Sequence, residues 1–359
     1  MSKLLKLVAL VAIVLVTVSC RLASSTPGQV TSQHGENEKR PVATGCPGLS
    51  CYSPSWSPDG SKIVVKVDDS PSGPLMVGDA DLAKFSDLFG GRDSKAFPPI
   101  GQALGSSTPL VEPTRVVTAE VRIGPAKPSG YPPGTFSQPT WSPTGNRVAF
   151  YYIPAESSTL AQGIYAFDVN SQQITLMVPL PNSSAGGGLS WSADERRLLY
   201  IRYDDQDRAW ICTANSDGTD EKLLLQISFP ALAAWSPDSN QVAFTSGGRD
   251  NTDLYVMNSD GTEVVNLTNN GGTEREYAVA WSPDSKRLVF TSFGERDSHR
   301  YLLYVINADG TNKQLVADGA YYVDVAWSPD GKWLMLTELI TSEKDPHGYT
   351  TLAKLEVDF

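Results

Sequence analysis

Residues 278–292 read AVAWSPDSKRLVFTS, and the same phrase returns in altered form along the chain. Its tryptophan is Trp281, with counterparts at Trp56, Trp141, Trp191, Trp235 and Trp327, spaced by 85, 50, 44, 46 and 46 residues. A period in the forties that carries strand-like segments is the mark of propeller blades. Nine residues after each Trp stands an apolar residue: Val65, Phe150, Tyr200, Phe244, Phe290 and Leu336. Each sits in an alternating run such as RVAFYY or QVAFTS, the period-2 pattern of a half-buried strand.

A second block follows within each unit. LYVMNSDGTEVVNLT from Leu254 aligns with IYAFDVNSQQITLMV from Ile164, LMVGDADLAKFSDLF from Leu75 and LYVINADGTNKQLV from Leu303. In ICTANSDGTDEKLLL from Ile211, Cys212 takes the place of Tyr165, Tyr255 and Tyr304, so it reads as a packed strand residue and not as a reactive thiol. Each unit therefore holds four strands: one ending at the Trp, one after the Ser-Pro turn, one carrying the Tyr, and one after the Asp-Gly turn. Trp offers a broad face to the neighbouring blade, Pro sets the first turn dihedral, and Gly accepts positive φ.

WSPDG at Trp56 and Trp327, WSPDS at Trp235 and Trp281, and the LYVMNSDGT block together resemble the TolB-like (WD-like) propeller repeat over roughly residues 50–357. The resemblance implies an all-β fold, a single β-propeller of four-stranded antiparallel blades. Such repeats occur in binding proteins and in propeller domains of some peptidases, so fold alone does not give function. TolB carries a further domain ahead of its propeller, where this sequence has a polar tether. Six blades with a Pro-rich insertion at about 90–136 is the favoured count, and seven with one degenerate blade is the alternative. The last unit reads as three strands, so residues in about 36–50 are expected to add the fourth and clasp the ring.

Ahead of the repeats, Lys3 and Lys6 precede an apolar run from Leu7 to Val18 that is too short to span a bilayer and reads as a secretory signal over residues 1–19. Its ending, Val16-Thr17-Val18-Ser19-Cys20, resembles a bacterial lipoprotein signal, which implies lipid on Cys20 and an extracytoplasmic, membrane-anchored address. Ordinary secretion with later cleavage is the alternative. Residues 20–43 are polar and read as a tether. The propeller then occupies 44–359, and Cys46 and Cys51 stand close enough to form a disulfide in an oxidising compartment.

Removing the signal takes away two lysines and no acids, moving the net charge from −11 to −13. Such a surface repels phosphate backbones, which argues against nucleic acid, and it leaves the N-terminal lipid as the expected membrane contact. No Gly-x-Ser-x-Gly, zincin motif or Cys-x-x-Cys is present, and the histidines are His34, His299 and His347. Neither a catalytic residue, a metal site nor a cofactor is expected. The NSDG and NADG turns look like fragments of an ion loop but lack its spacing, and tight hairpins use the same residues.

In a meander blade the SPDG and NSDG turns fall on one face, and the loops between the second and third strands fall on the other. Those loops vary: IPAESSTLAQG, DDQDR, GGRDNTD, FGERDSHR and ITSEKDPHG. Variable loops on a rigid scaffold are where recognition sits. The expected binding face comprises Arg208, Arg249, Asp250, Arg275, Arg296, Asp297, His299, Arg300, Tyr321 and Tyr322. Neighbouring Arg and Asp residues there, Asp207 with Arg208 among them, have a structural reading as loop-holding ion pairs. The first functional reading is a non-enzymatic envelope propeller for a protein or peptide partner. The alternatives are a lyase or hydrolase acting on carbohydrate or peptide at the central channel, and a carbohydrate-binding sensor or scaffold.

Overall fold

The computed structural model describes residues 43–44, 51–67, 75–81, 85–88, 93–94, 133–180, 187–204, 206, 208–228, 232–248, 251–269, 271, 274–294, 300–318, 321–342 and 345–358. Every regular element among them is a β-strand; antiparallel hairpins make six units in sequence order, the fourth and fifth of which are joined into one eight-stranded sheet by a parallel pair between Thr252 and Arg275. Blade 1 contains Cys51–Trp56, Lys62–Val67, Leu75–Asp79 and Phe85–Asp87. Blade 2 contains Gly134–Trp141, Arg147–Pro154, Gly163–Asp168 and Ile174–Pro179. Blade 3 runs through Ser190–Trp191, Arg197–Tyr203, Ala209–Asn215 and Lys222–Ile227. Blade 4 has Ala233–Trp235, Gln241–Gly247, Thr252–Asn258 and a two-residue outer strand, Val265–Asn266. Blade 5 has Glu274–Trp281, Arg287–Gly294, Arg300–Asn307 and Gln314–Asp318. Blade 6 has Tyr321–Trp327, Trp333–Ser342 and Asp345–Glu356.

The fourth strand of blade 6 comes from the other end of the chain. Ala43 and Thr44 pair antiparallel with Ala353 and Leu352, within the segment where the sequence placed a closing strand. At the first blade the structure departs from expectation in detail. Asp93–Ser94 adds a fifth strand to its edge, and the first strand of blade 2 begins at Gly134, so both ends of the expected 90–136 insertion belong to sheets. Residues 95–132 lie outside the described ones.

The core is divided among the junctions between blades, and the motif tryptophans show why. Trp141 packs with Val64 and Leu75 of blade 1, and Trp191 with Tyr151 and Ile164 of blade 2. Trp235 meets Ile201 and Ile211 of blade 3, Trp281 meets Leu254 and Val256 of blade 4, and Trp327 meets Leu303 and Val305 of blade 5. The cycle closes with Trp56 against Met335 and Leu352 of blade 6. Each Trp thus covers the sheet before its own, burying a large flat surface at every junction. Six junctions among the described residues agree with the favoured six-blade count. Cys212 is fully buried in the core between blades 2 and 3, as the alignment required.

The repeated turn has one construction throughout. The buried motif Ser (Ser57, Ser142, Ser192, Ser236, Ser282, Ser328) accepts, through Oγ, the N–H five residues on, at 2.9–3.2 Å. In five blades that hydroxyl also donates to the turn Asp: Asp59, Asp194, Asp238, Asp284 and Asp330, at 2.5–2.6 Å. The Ser57 and Ser61 hydrogen bonds hold the Asp59 carboxyl down to about 2. The following residue lies in the left-handed region: Gly60, Gly145, Glu195, Ser239, Ser285 and Gly331, with φ between 58° and 74°. The sequence suggested glycine's freedom here, yet three of the six positions carry a side chain.

Those three side chains reach the preceding blade. Ser239 Oγ accepts from Ala193 N at 2.7 Å, and Ser285 Oγ from Asp238 N at 3.1 Å. Glu195 accepts from Thr144 N and Thr144 Oγ1, both at 2.6 Å, and from Arg147 at 3.0 Å. Thr144 stands where the other blades have the turn Asp, so the Glu195 carboxylate from blade 3 fills the role that blade 2 cannot fill for itself.

Candidate functional site: the loop face and the central channel

The two faces are set by hydrogen bonds between turns. In every blade the residue after the third strand donates its N–H to a carbonyl beside the Ser-Pro turn: Ala80 to Ser61, Val169 to Asn146, Ser216 to Arg196, Ser259 to Asn240, Ala308 to Lys286 and Val357 to Lys332. Both repeated turns therefore share one face. Their acids serve the turns themselves: Asp217, Asp260 and Asp309 each accept from a Thr N–H and its hydroxyl at 2.6–3.0 Å. Those bonds lower the carboxyls. This use matches hairpin chemistry and not an ion loop. Among the described residues no group of three or more His, Cys, Asp and Glu converges in a metal-binding arrangement.

The opposite face holds the loops between second and third strands and the starts of the inner strands. Arg208 lies there, 46% exposed, with its guanidinium on Asp204 Oδ2 at 2.7 Å. Trp210 Nε1 donates to the same oxygen at 3.1 Å, and Gln206 N and Arg208 N donate to Oδ1. Burial would raise the Asp204 carboxyl, but these five donors outweigh it and hold the group well below the usual range. The loop is thus tied by Asp204, four residues before the Arg; sequence adjacency pointed to Asp207, which lies outside the described residues.

Arg275 is the second residue of the inner strand of blade 5, its guanidinium 6.0 Å from the Phe293 ring centre, and Phe293 in turn packs on Tyr301 at 4.6 Å. Arg300 starts the third strand of the same blade opposite Gly294. Tyr321 and Tyr322 start the inner strand of blade 6 opposite Leu339 and Glu338. The backbone therefore brings Arg208, Arg275, Arg300, Tyr321 and Tyr322 to one end of the ring. Arg249, Asp250, Arg296, Asp297 and His299 lie outside the described residues, as do Cys20 and Cys46; Cys51 is the first residue of the inner strand of blade 1.

Through the middle runs a cavity of about 300 Å³ lined by all six inner strands. Its wall is two-sided in character. Ser53, Ser55, Gln138, Thr140 and Ser190 supply a polar half from blades 1 to 3, while Leu232, Ala234, Val279, Ala280 and Ala326 supply an apolar half from blades 4 to 6. Asp324 is the carboxylate of the lining, and its Oδ2 accepts Ser53 N at 2.9 Å, joining the last blade to the first. Burial pushes this carboxyl up, against the Ser53 hydrogen bonds. The polar half contains a feature that pattern reading missed. Ser53, Gln138 and Gly188, each three residues before its Trp, have φ of 52°, 51° and 75°. The register shifts at this point in blades 1 and 2.

The fold and its repeats define a TolB-like β-propeller. The family model of the TolB beta propeller domain matches residues 188–347. The Tol-Pal system protein TolB of Thioalkalivibrio sulfidiphilus (strain HL-EbGR7) is 30% identical over 124 residues, covering 33% of this chain and 26% of that protein. The matched stretch is thus about a quarter of the curated relative's length. Among solved structures, putative TolB from Agrobacterium tumefaciens superposes with a TM-score of 0.54 at 18% identity, over 86% of this chain and 91% of that one. TolB from Acinetobacter baumannii gives 0.54 at 13% identity, over 87% and 64%. An oligogalacturonate lyase in complex with manganese gives 0.52 at 13% identity, over 90% and 96%. At these identities the structural likeness concerns the fold.

Proposed function

We propose that this chain is a non-enzymatic, cell-envelope propeller, lipid-anchored through Cys20, that holds a protein or peptide partner on its variable-loop face. The observation that carries this reading is the asymmetry between the two ends. On the turn face the repeated Ser and Asp groups are engaged within the ring, whereas the loop face gathers non-repeating Arg and Tyr positions. Arginine and aromatic side chains are the usual anchors of interfaces. Similarity to a Tol-Pal system protein favours an envelope setting. The test is crosslinking in native envelopes with wild type and with an Arg249→Ala, Arg296→Ala, Arg300→Ala variant. Loss of the captured partner with unchanged thermal unfolding is expected, and retained capture refutes this face.

A second reading places chemistry at the channel, favoured by its 300 Å³ cavity and by the fold shared with an oligogalacturonate lyase. Incubation with oligogalacturonate and manganese, followed by analysis for unsaturated products, separates the two. Turnover that is lost on Asp324→Asn would establish the channel as an active site.

A further inference from the structure

The central channel departs from the repeat in a way the scaffold does not require. The residue before each motif Trp lines the cavity in all six blades. In blades 1 to 3 it is Ser55, Thr140 and Ser190, and in blades 4 to 6 it is Ala234, Ala280 and Ala326. Each of the six pairs with its second strand in the same register. Hydroxyl and methyl are thus interchangeable for strand pairing, and their separation into opposite arcs is a property of the cavity.

The polar arc holds hydrogen-bonding capacity that the ring leaves unused. Ser55 Oγ accepts Trp141 N and Ser190 Oγ accepts Trp235 N, each at 3.2 Å, and neither hydroxyl donates to a group among the described residues. The Thr140 hydroxyl and the Gln138 side-chain amide, also in the lining, find no hydrogen-bond partner among the described residues. Gln138 sits at a register shift of its strand with φ 51°, and such left-handed backbone gathers at ligand sites. No Lys, Arg or His lines the cavity among the described residues, and Asp324 Oδ2 is already engaged by Ser53 N at 2.9 Å. An anionic ligand therefore meets a carboxyl and no cation, while a wholly apolar one leaves the hydroxyls and the amide unpaired.

We propose that the channel binds an uncharged pyranose sugar, its hydroxyls on the arc of Ser55, Gln138, Thr140 and Ser190 and a C–H face on the alanine arc. A pyranose is divided in the same way, with hydroxyls around its edge and C–H groups on its faces. A cavity of about 300 Å³ lies at the small end of small-molecule sites, which suits one such ring. This inference shares the channel with the second reading above, but it rests on occupancy and not on turnover.

Trp56, Trp235, Trp281 and Trp327 line the same cavity, so their fluorescence reports an occupant. The full chain is titrated, without manganese, with methyl glucoside, methyl galactoside, galacturonate, glucosamine and N-acetyl-glycinamide. A saturable change is expected with at least one methyl glycoside, and an affinity at least about tenfold weaker for the acid, the amine and the amide. Gln138→Leu and the near-isosteric Thr140→Val should each weaken the glycoside at least about fivefold while thermal unfolding stays cooperative. No saturable change with either glycoside, equal or tighter binding of the acid, the amine or the amide, or wild-type affinity in both variants overturns the proposal. Absence of lyase product leaves it standing, and product formed without glycoside binding overturns it while leaving the second reading in place.

Discussion

Truncating Glu195 to Ala removes one carboxylate that serves two backbone and side-chain donors of Thr144 and the Arg147 guanidinium. The side chain is 14% exposed and Arg147 is 31% exposed, so the contact is neither buried nor free in solvent. Hydrogen bonds to a charged group are worth about 1.5–3 kcal/mol each when water cannot replace them, and exposed ion pairs about 0–1 kcal/mol. The Thr144 turn is exposed enough for water to take over part of the loss, which brings the sum to about 2 kcal/mol. The left-handed backbone at Glu195, φ 58°, is equally unfavourable for Ala, so strain adds nothing to the difference. At about 2.1 cal/mol/K per residue, a ring of this size loses about 3 °C of Tm for 2 kcal/mol.

Calorimetry of wild type, Glu195→Ala, Glu195→Gln and Glu195→Gly would check this. The Gly variant should recover about 1 kcal/mol relative to Ala, because glycine adopts the left-handed region freely. The opposing burial of the Glu195 carboxyl is outweighed by Thr144 and Arg147, which hold it below its ordinary 4.5. A lowered folded pKa gives stability that is present above the unfolded pKa and lost as pH falls through the folded one. The difference between wild type and Glu195→Gln should therefore shrink in acid. A Glu195→Ala melting point equal to wild type at pH 7, or a pH-independent gap to Glu195→Gln, refutes the reasoning.

Asp324 has the opposite sign: its raised carboxyl favours the fold below the unfolded pKa and loses that contribution as pH rises through the raised value, so Asp324→Asn should flatten the urea midpoint against pH on that side. A steeper profile would contradict the burial argument. Burial pushes the Cys212 thiol up to about 12, so in a chain with Cys20, Cys46 and Cys51 changed to Ser a thiol reagent should react only on unfolding; rapid native labelling would place Cys212 elsewhere. Deleting residues 36–50 removes the Ala43–Thr44 pairing and should lower Tm by about 5 °C or more, and an unchanged Tm rules out a closing role.

The architecture was legible because its signals are periodic. Trp spacing, alternation after the Ser-Pro turn and the Asp-Gly block assign nearly every strand, and the alignment of Cys212 with Tyr165, Tyr255 and Tyr304 assigns it to the core. What escaped the pattern depends on neighbours far apart in sequence. Nothing near Glu195 announces that its carboxylate completes the turn of Thr144, 51 residues earlier. Asp324 looks like a surface acid in YYVDVAW, yet it bonds Ser53 N, 271 positions away. Sequence adjacency offers Arg208 the neighbouring Asp207, while a loop that folds back on itself gives it Asp204. The loop-face residues vary from blade to blade, and variation names a face without naming contacts.

The bonds contributed by Glu195, Ser239 and Ser285 run only between blades 2 and 5. At the junctions served by Gly60, Gly145 and Gly331 there is no side chain to make them, and among the described residues the last blade is completed by two backbone pairs from Ala43 and Thr44. The turn-to-turn ties are consequently unevenly distributed around the circumference. Blades 6 and 1 are held instead by Ser53 N on Asp324, by Lys354 Nζ on the Ala80 carbonyl and by the Trp56 core, so that junction depends on ties away from the turn. Three glycines thus decide where around the ring the turn face contributes to holding neighbouring blades together.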